Sequence, residues 1–374
     1  MNIRFVVALT LAFAAPAGAS PAPELAAAKR AKIEAAIAKF MAANKVPGLA
    51  AAVVENGALE WSAGFGSADL ENAVPATAST LFRLGSVSKP MTAVAAMQLW
   101  ERGKLDLDAP VQKYCPSFPV KDQPVTTRQL LGHLGGVRHY RSDTPDDPEV
   151  ANTKHFEDPI QGGLGFFAND PLVEKPGTKF HYSTQGFTLI GCAIQGASGR
   201  PYTDFMRENV FLPAGMARTG PDEQFAVIPG RTRFYSKEKE GGVRNANFLD
   251  SSYKIPGGGL IASADDVARF EEAMLGDKLV KRSTRDLMWA SQKTADGAET
   301  DYGYGFRTNK VAGLPSAGHG GGQAGTSTAF LLVPGERAGV VVLTNMDDLD
   351  AAGLARELME IVLTAAPAPQ PATR

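Results

Sequence analysis

The chain has 374 residues, and its 38 basic and 40 acidic side chains leave a formal net charge of −2 and an isoelectric point near 6.3. Because acidic and basic residues are mixed throughout, the sequence lacks the basic surface typical of nucleic-acid-binding proteins, so we expect no nucleic-acid partner. Two cysteines are too few for a disulfide scaffold, and the five histidines lack the spacing of a zinc site.

The first nineteen residues have the pattern of a secretory signal peptide. A basic start at residues 1–4 precedes an apolar run over 5–15, and residues 17–19 give the small-x-small pattern of a cleavage site. A disordered or membrane-anchoring N-terminus is the alternative. Cleavage after Ala19 predicts a periplasmic or secreted protein, and no later uncharged run has the length of a membrane span.

Strand signals lie near both ends of the chain, and helical signals dominate its middle. The predicted elements are a helix over 24–43, a hairpin turning at Asn56-Gly57, a helix from 89 to about Gly103, a helical and loop-rich region over 106–223, a helix over 263–275 opened by a capping box of Ser263 and Asp266, a hairpin of 326–333 with 338–345, a helix over 348–363 and a disordered tail over 365–374. This order predicts an α+β fold. An antiparallel sheet domain is formed by residues 20–105 and 224–364, and residues 106–223 form an inserted helical domain.

The redox state of Cys115 and Cys192 stays open at this level. Export would permit one bridge between them, but their spacing does not show that they meet. The apolar surroundings of both residues favour two buried thiols.

Ser86 and Lys89 form an S-x-x-K pair where a long apolar helix begins. Positions i and i+3 share a helix face, so the amine can approach the hydroxyl and, if neutral, deprotonate it. The same pattern starts at Ser236, in a charged segment interpreted as a solvated loop, and at Ser251, before a segment interpreted as extended. Only Ser86 is therefore a candidate nucleophile, with a helix-capping serine as the alternative. Pro90 predicts an irregular start of the helix.

Two later segments carry further candidates. Tyr182 and Thr184 precede an apolar helical run, and a phenol there can relay a proton if a nearby ammonium lowers its pKa. A tyrosine packed at a domain boundary is the alternative. His319 opens a glycine run, where the N–H of Gly322 can complete an oxyanion hole with that of Ser86. A flexible loop with a surface histidine is the alternative.

The glycine run also contains G-x-G-x-x-G at Gly320, Gly322 and Gly325. A dinucleotide-binding loop follows a strand and opens a helix, whereas the β-branched segment 326–330 follows Gly325. This context argues against a nucleotide-binding oxidoreductase. The absence of G-x-S-x-G from the sequence likewise disfavours an α/β-hydrolase.

The order of these motifs resembles the serine β-lactamase and penicillin-binding-protein superfamily of serine hydrolases, in particular its class C and esterase branch. The segments that resemble this branch include LGSVSKPMTA, VTTRQLLGHLGGV and GHGGGQAGTSTAFLLVP. FHYSTQGFTLIG and DSSYKIPGGG are similar to the mitochondrial serine β-lactamase-like proteins and their bacterial relatives. The similarity covers nearly all of residues 46–333. It implies an antiparallel sheet flanked by helices, an inserted helical domain with the site between them, and no metal or organic cofactor.

Carried over motif by motif, the resemblance implies a role for each candidate. Ser86 would be the acylated nucleophile, Lys89 the base that takes its proton, and Tyr182 the relay that passes a proton to the leaving group. The backbone N–H groups of Ser86 and Gly322 would hold the oxyanion.

Two positions depart from the pattern of true β-lactamases. Thr184 stands where asparagine is usual, and His319, two residues before Gly321, stands where many relatives have the lysine of a lysine–threonine–glycine motif. Histidine is mostly neutral at pH 7, so a fixed cation for the substrate carboxylate is lost. We therefore expect weak β-lactamase activity and better turnover of peptides or esters without that carboxylate.

The sequence thus predicts an exported serine hydrolase that acts on a small-molecule or peptide substrate. A peptidase is the first interpretation, an esterase the second and a β-lactamase the third. A catalytically idle scaffold or binding protein on the same fold is the alternative from another class, although Ser86, Lys89 and Tyr182 are all present.

Overall fold

The computed structural model describes residues 25–142, 147–238 and 240–364. The predicted signal peptide over 1–19 and the predicted tail over 365–374 lie outside the described residues. Within those three ranges, no helix has both the length and the apolar character that crossing a bilayer requires.

A large antiparallel sheet brings both ends of the chain together. The strands of the described residues are β1 Gly48–Glu55, β2 Ala58–Asp69, β3 Val74–Pro75, β4 Phe82–Arg83, β5 Gly220–Pro221, β6 Tyr235–Lys237, β7 Val243–Asn245, β8 Leu260–Ala262, β9 Arg307–Val311, β10 Leu314–Gln323, β11 Thr326–Val333 and β12 Ala338–Thr344. Seven of them pair in the order β3-β2-β1-β12-β11-β10-β9, so β1 lies between its own hairpin partner β2 and the late strand β12. The sheet built from both termini, as predicted, is confirmed.

Helices cover both faces of this sheet and fill the middle of the chain. They are α1 Ala27–Asn44, α2 Ser88–Glu101, α3 Thr127–Leu131, α4 Pro159–Phe167, α5 Thr184–Ser198, α6 Tyr202–Met206, α7 Leu212–Ala214, α8 Ile255–Gly258, α9 Ala264–Leu275, α10 Arg282–Met288 and α11 Ala351–Leu363. The segment 106–223, predicted as an inserted domain, contains α3 to α7 and the short strand β5. The domain bounds themselves stay a prediction.

The alternation of side chains along β1 explains the layers. Leu49 and Val53 point to one face and join the apolar cluster formed with α1 and α11. Ala50 and Val54 point to the other face and join the larger cluster that includes α2, α5 and α9. Because successive side chains of a strand point to opposite faces, a strand buried on both faces is apolar throughout.

Local turn chemistry accounts for the ends of the first elements. Asn56 and Gly57 have φ values of 54° and 80°, the left-handed pair that a tight hairpin requires, so the predicted hairpin is confirmed. α1 ends at Asn44, and Lys45 follows it in the left-handed conformation.

Three local predictions are wrong or only partly right. Only one of the two hydrogen bonds of the capping box forms. The Asp266 N–H donates to the Ser263 hydroxyl, but the Asp266 carboxylate accepts from the Arg218 N–H instead of the Ser263 N–H. Ser236 is buried on β6 and donates to a carboxylate, so it does not lie in a solvated loop. The segment after Ser251 is helical and not extended.

Two residues explain why the segment after Ser251 is helical where an extended segment is predicted. The Asp250 carboxylate accepts from the Ser252 N–H at 2.8 Å and opens the 3-10 turn Ser252–Lys254, and Pro256 occupies the first turn of α8, where its fixed φ suits a helix.

Cys115 and Cys192 form a disulfide, with their sulfurs 2.00 Å and their Cα atoms 5.4 Å apart. The prediction of two buried thiols is therefore wrong. The bridge joins the segment after the 3-10 turn Val111–Lys113 to the middle of α5. Only the tertiary packing of these two segments brings the Cα atoms within bridging range.

Candidate active site

Ser86 and Lys89 are brought together at the start of α2. Ser86 lies in the 3-10 turn Gly85–Val87, and Lys89 lies in the first turn of the helix, so Lys89 Nζ is 2.9 Å from Ser86 Oγ. The Lys89 side chain is fully buried, which argues against a capping serine beside a surface lysine. The 3-10 turn is the irregular helix start that Pro90 predicts.

The environment of Lys89 favours its neutral form. Its amine is within hydrogen-bond distance of Gly257 O at 2.7 Å and Thr184 Oγ1 at 3.1 Å. Burial, and then the nearby cations Lys254 and Arg307, lower the pKa of Lys89 well below its usual value. A neutral amine can donate to Gly257 and Thr184 and still offer its lone pair to the Ser86 hydroxyl.

Tyr182 lies against this pair. Lys89 Nζ is 4.8 Å from the centroid of its ring, and the Arg307 guanidinium is 5.7 Å from the same centroid. Burial raises the pKa of Tyr182 above its usual value, although a hydrogen bond with Ser86 and the charge of Arg307 act in the opposite direction. The suggestion that an ammonium lowers the pKa of this phenol is therefore wrong in net direction. The phenol keeps its proton at neutral pH and can donate it.

Two histidines, the buried His133 and the half-buried His139, fix the N-terminus of α5. His133 Nδ1 accepts from the Ser183 N–H at 3.1 Å, and His139 Nδ1 accepts from the Thr184 N–H at 3.2 Å. Burial is the largest cause that lowers the pKa of both rings, that of His139 to about 3, so both act as neutral acceptors. These bonds hold Tyr182 and Thr184 toward the Ser86–Lys89 pair.

The hairpin register directs the N–H of Gly322 toward the site. Gln323 pairs with Thr326 across a two-residue turn, so Gly322 is a non-hydrogen-bonded position toward β11. Its N–H therefore points to the opposite edge of β10. On that edge β9 reaches only as far as Arg307, which pairs with Gly318, so β9 does not cover Gly322.

Gly85 permits a close approach between this edge and the nucleophile turn. It has a φ of 50°, and a Cβ at this position would lie 2.9 Å from Gly322 N. The approach at Gly321 is closer still, because a Cβ there would lie 2.1 Å from Leu84 O. The glycine run is thus one wall of the cleft beside Ser86, and it lies on a strand that precedes a hairpin.

His319 is enclosed beneath this wall. It is 3% exposed, its Nε2 is 2.9 Å from the Tyr302 hydroxyl, and its Nδ1 is 2.6 Å from Gly320 O. Gly320 O can only accept, so Nδ1 carries the proton and Nε2 accepts from Tyr302. Burial, and then the charge of Lys89, lower the pKa of His319 well below its usual value, consistent with the neutral state predicted.

Sequence reasoning missed two cations at the site. Arg307 is exposed on β9, and no carboxylate of the described residues lies within ion-pair distance of it. Lys254 ends the S-x-x-K copy that starts at Ser251. It is buried, and it lies close enough to Lys89 for its charge to lower the pKa of Lys89. The prediction of a neutral group at position 319 is unaffected, but the Arg307 guanidinium, 5.7 Å from the centroid of the Tyr182 ring, places a cation beside the site from the neighbouring strand. Only the pairing of β9 with β10 places it there.

A cavity of about 320 Å³ opens beside Gly322, within the size range of small-ligand sites. Phe248, Leu249 and Val150 supply apolar lining, and charges of both signs line it as well, from Lys237, Arg244, Asp347 and Asp348. Among the residues that the structure describes, no three His, Cys, Asp or Glu side chains converge as a metal site would require.

Comparison with known proteins gives consistent matches over most of the chain. The model of the β-lactamase family matches residues 33–363. The human mitochondrial serine β-lactamase-like protein LACTB is 35% identical over 293 residues, which are 61% of this chain and 53% of the relative. The D-aminopeptidase of Gluconobacter oxydans is 29% identical over 328 residues, covering 84% of this chain and 59% of the relative.

A solved structure shares the same architecture. The octameric penicillin-binding protein homologue of Pyrococcus abyssi superposes with a TM-score of 0.78 at 26% identity, over 89% of this chain and 77% of that structure. The chain spans about half the length of the curated mitochondrial relative that it matches.

Proposed function

The chain belongs to the β-lactamase family and is a serine hydrolase, and from this premise we propose that it works through an acyl-enzyme on Ser86. The observation that carries the proposal is the 2.9 Å distance between Lys89 Nζ and Ser86 Oγ in a fully buried amine site. A buried amine with a lowered pKa can serve as a general base at neutral pH.

The geometry supports a two-step acyl transfer. Lys89 takes the hydroxyl proton as Ser86 Oγ adds to the substrate carbonyl carbon, and the N–H groups of Ser86 and Gly322 bind the oxyanion. Tyr182 then gives its phenol proton to the leaving group and regains a proton from Lys89. Water attacks the resulting ester by the reverse route, which releases the acid and restores Ser86.

We propose a peptidase on small peptides or proteins as the first substrate class. The exposed Arg307 guanidinium can pair with a peptide carboxylate, and the cavity beside Gly322 leaves room for a residue next to the scissile bond. The related D-aminopeptidase agrees with this class. An esterase or a weak β-lactamase on the same site is the second candidate, and Thr184 in the asparagine position argues against an efficient β-lactamase. An idle scaffold is the alternative from another class.

The proposal includes export to the periplasm or the cell exterior, which rests on the pattern of residues 1–19 alone. Amino-terminal sequencing of the protein recovered from its native host should start at or near Ser20. An intact Met1 would contradict it.

Labelling with a fluorophosphonate probe tests Ser86 directly. We expect wild type to label covalently and Ser86→Ala to lose all labelling, because Ser86 is the hydroxyl that the proposed mechanism activates through Lys89. Ser251→Ala is the matched control, since Ser251 starts another copy of the tetrapeptide, its hydroxyl makes no hydrogen bond among the described residues, and the variant should leave labelling unchanged. Labelling of Ser86→Ala at the wild-type rate would remove Ser86 as the nucleophile.

Substrate profiling with the same protein separates the candidate activities. We expect turnover of short peptides and p-nitrophenyl esters to exceed that of a cephalosporin. Faster hydrolysis of the cephalosporin would contradict the peptidase assignment, and the absence of all turnover with a folded, unlabelled protein would favour a scaffold.

A further inference from the structure

Lys254 is a buried lysine beside the nucleophile turn to which the proposed mechanism gives no role. It is 3% exposed, and it ends the 3-10 turn Ser252–Lys254 that leads into α8. Gly258 lies between this side chain and the nucleophile turn. A Cβ atom added at Gly258 would lie 3.8 Å from Lys254 Cδ and 3.7 Å from the carbonyl carbon of Gly85. The Lys254 side chain therefore runs along α8 toward the residue that precedes Ser86.

Lys89 reaches the same short helix, since its amine contacts Gly257 O at 2.7 Å. Two buried lysines thus converge on consecutive residues of α8. Two ammonium groups in one buried site repel each other, so protonation of one disfavours protonation of the other.

The other charged and titratable groups around the two amines are mostly basic or neutral. Those that face Lys89 from the packed elements are Arg307 on β9, Tyr182 before α5, His133 and His139 after α3, and His319 on β10. Those near Lys254 are Tyr140, Tyr253, His139, Arg83 and Asp222. The carboxylate of Asp222 is paired with Arg83 at 2.7 Å.

We propose that Lys254 is a positioning residue of the active site, whose buried ammonium keeps the Lys89 amine unprotonated and ready to accept the Ser86 proton. This inference rests on the proposed role of Lys89 as the base. Burial, and then the charge of Arg83, lower the pKa of Lys254 to about 7, whereas that of Lys89 is lowered well below its usual value. Below about pH 7 Lys254 therefore carries its proton, and its charge is one of the causes that lower the pKa of Lys89.

The pH dependence of acylation is the property that this role controls. Without the charge of Lys254, the pKa of Lys89 should rise, and the acid limb of the labelling rate should move to higher pH. A like charge in the same buried site shifts a pKa by about one unit or more. The loss of rate in the variant should therefore be largest below pH 7 and small near pH 9.

The test measures the fluorophosphonate labelling rate from pH 5 to 9 in wild type, Lys254→Met and Lys254→Arg. We expect the acid limb of Lys254→Met to move up by about one pH unit or more, and that of Lys254→Arg to stay at or below the wild-type position. Lys278→Met, which removes an exposed lysine after α9, is the matched control and should leave the profile unchanged. An unmoved limb in Lys254→Met, or an equal upward shift in Lys254→Arg, would overturn the proposal.

Nitrogen-15 NMR of the lysine side chains separates this proposal from the role of Ser86. The Nζ resonance of Lys89 should titrate at higher pH in Lys254→Met than in wild type, including in proteins that do not label. If wild type fails to label while this shift is present, the proposed acyl-enzyme fails and the coupling of the two lysines stands. Should Lys254→Met not fold, Lys254→Gln provides the same comparison, and an unchanged Lys89 titration in a folded variant would refute the coupling.

Discussion

At the scale of single residues, the site is organised by burial more than by residue type. Lys89 is fully buried and Tyr182 is half-buried beside it, and the loss of water contact lowers the pKa of the amine and raises that of the phenol. Each group is thus held in the neutral state that its proposed role needs, because burial disfavours the charged form of either group. His319 is neutral for the same reason, and its two nitrogens are occupied by Tyr302 and Gly320.

The exposed Arg307 guanidinium, close to the Tyr182 ring, is the group that we propose to bind a substrate carboxylate. In Arg307→Gln we expect the preference for a peptide with a free terminal carboxylate over its carboxamide to fall about tenfold through KM, the order of one charge-assisted hydrogen bond. Steady-state kinetics on the two substrates measure this ratio.

Lys310→Gln is the control for Arg307, because it changes an exposed cation three residues along β9, where side chains point to the other face. An unchanged ratio of carboxylate to carboxamide turnover in Arg307→Gln would show that Arg307 does not contact the substrate carboxylate.

At the scale of elements, three short segments build the cleft. The 3-10 turn Gly85–Val87 supplies Ser86, the N-terminus of α5 supplies Tyr182 and Thr184, and the uncovered edge of β10 supplies the N–H of Gly322. None of these segments is long, and each is fixed by contacts with another. α5 is held by the ring nitrogens of His133 and His139 at its N-terminus and by the disulfide at its middle.

The disulfide should therefore contribute to the stability of this arrangement. It closes a loop of 77 residues between Cys115 and Cys192, and removing a bridge of this kind typically costs about 2–5 kcal/mol. We expect the double variant Cys115→Ala/Cys192→Ala to unfold at lower urea concentration, with a free energy of unfolding reduced by about that amount.

Wild type treated with dithiothreitol should approach the double variant in its urea transition, whereas dithiothreitol should not change the double variant itself. Identical unfolding free energies for wild type and the double variant would mean that packing alone fixes α5.

At the scale of the whole molecule, the fold concentrates buried basic groups between the sheet and the helices. His133 is 2% exposed, and burial is the main cause that lowers its pKa well below the usual value. The unfolded chain protonates this ring near pH 6.5 and the folded chain does not, so the unfolded state binds more protons below that pH. The stability of the molecule should therefore fall as the pH falls through this window.

We predict that the His133 contribution amounts to about 2 kcal/mol between pH 7 and pH 5. Urea unfolding at the two pH values measures it, and His133→Gln should lose less stability on acidification than wild type. A pH dependence of His133→Gln equal to that of wild type would contradict the buried neutral state.

His155→Gln is a control of opposite sign. Burial lowers the pKa of His155, but its pairing with Asp250 at 2.9 Å more than offsets this, so the pKa is raised. The stabilising effect of protonated His155 is present below about pH 6.5 and is lost as the pH rises. Wild type therefore gains stability from His155 on acidification, and the free energy of unfolding of His155→Gln should fall more steeply between pH 7 and pH 5.

The sequence by itself determined the features that depend on short-range order. The S-x-x-K spacing places Ser86 and Lys89 on one helix face, and the Asn56-Gly57 turn fixes the first hairpin, because both are set by residues within a few positions of each other. The order of the motifs was enough for the antiparallel sheet and the hydrolase family.

Only the tertiary structure decided the properties that depend on burial and on contacts between distant segments. It joined Cys115 to Cys192, brought Lys254 and Arg307 to the cleft, and raised the pKa of Tyr182. Each of these outcomes depends on which groups exclude water from which others. Segments up to about two hundred residues apart in the chain make those contacts, so no local pattern records them.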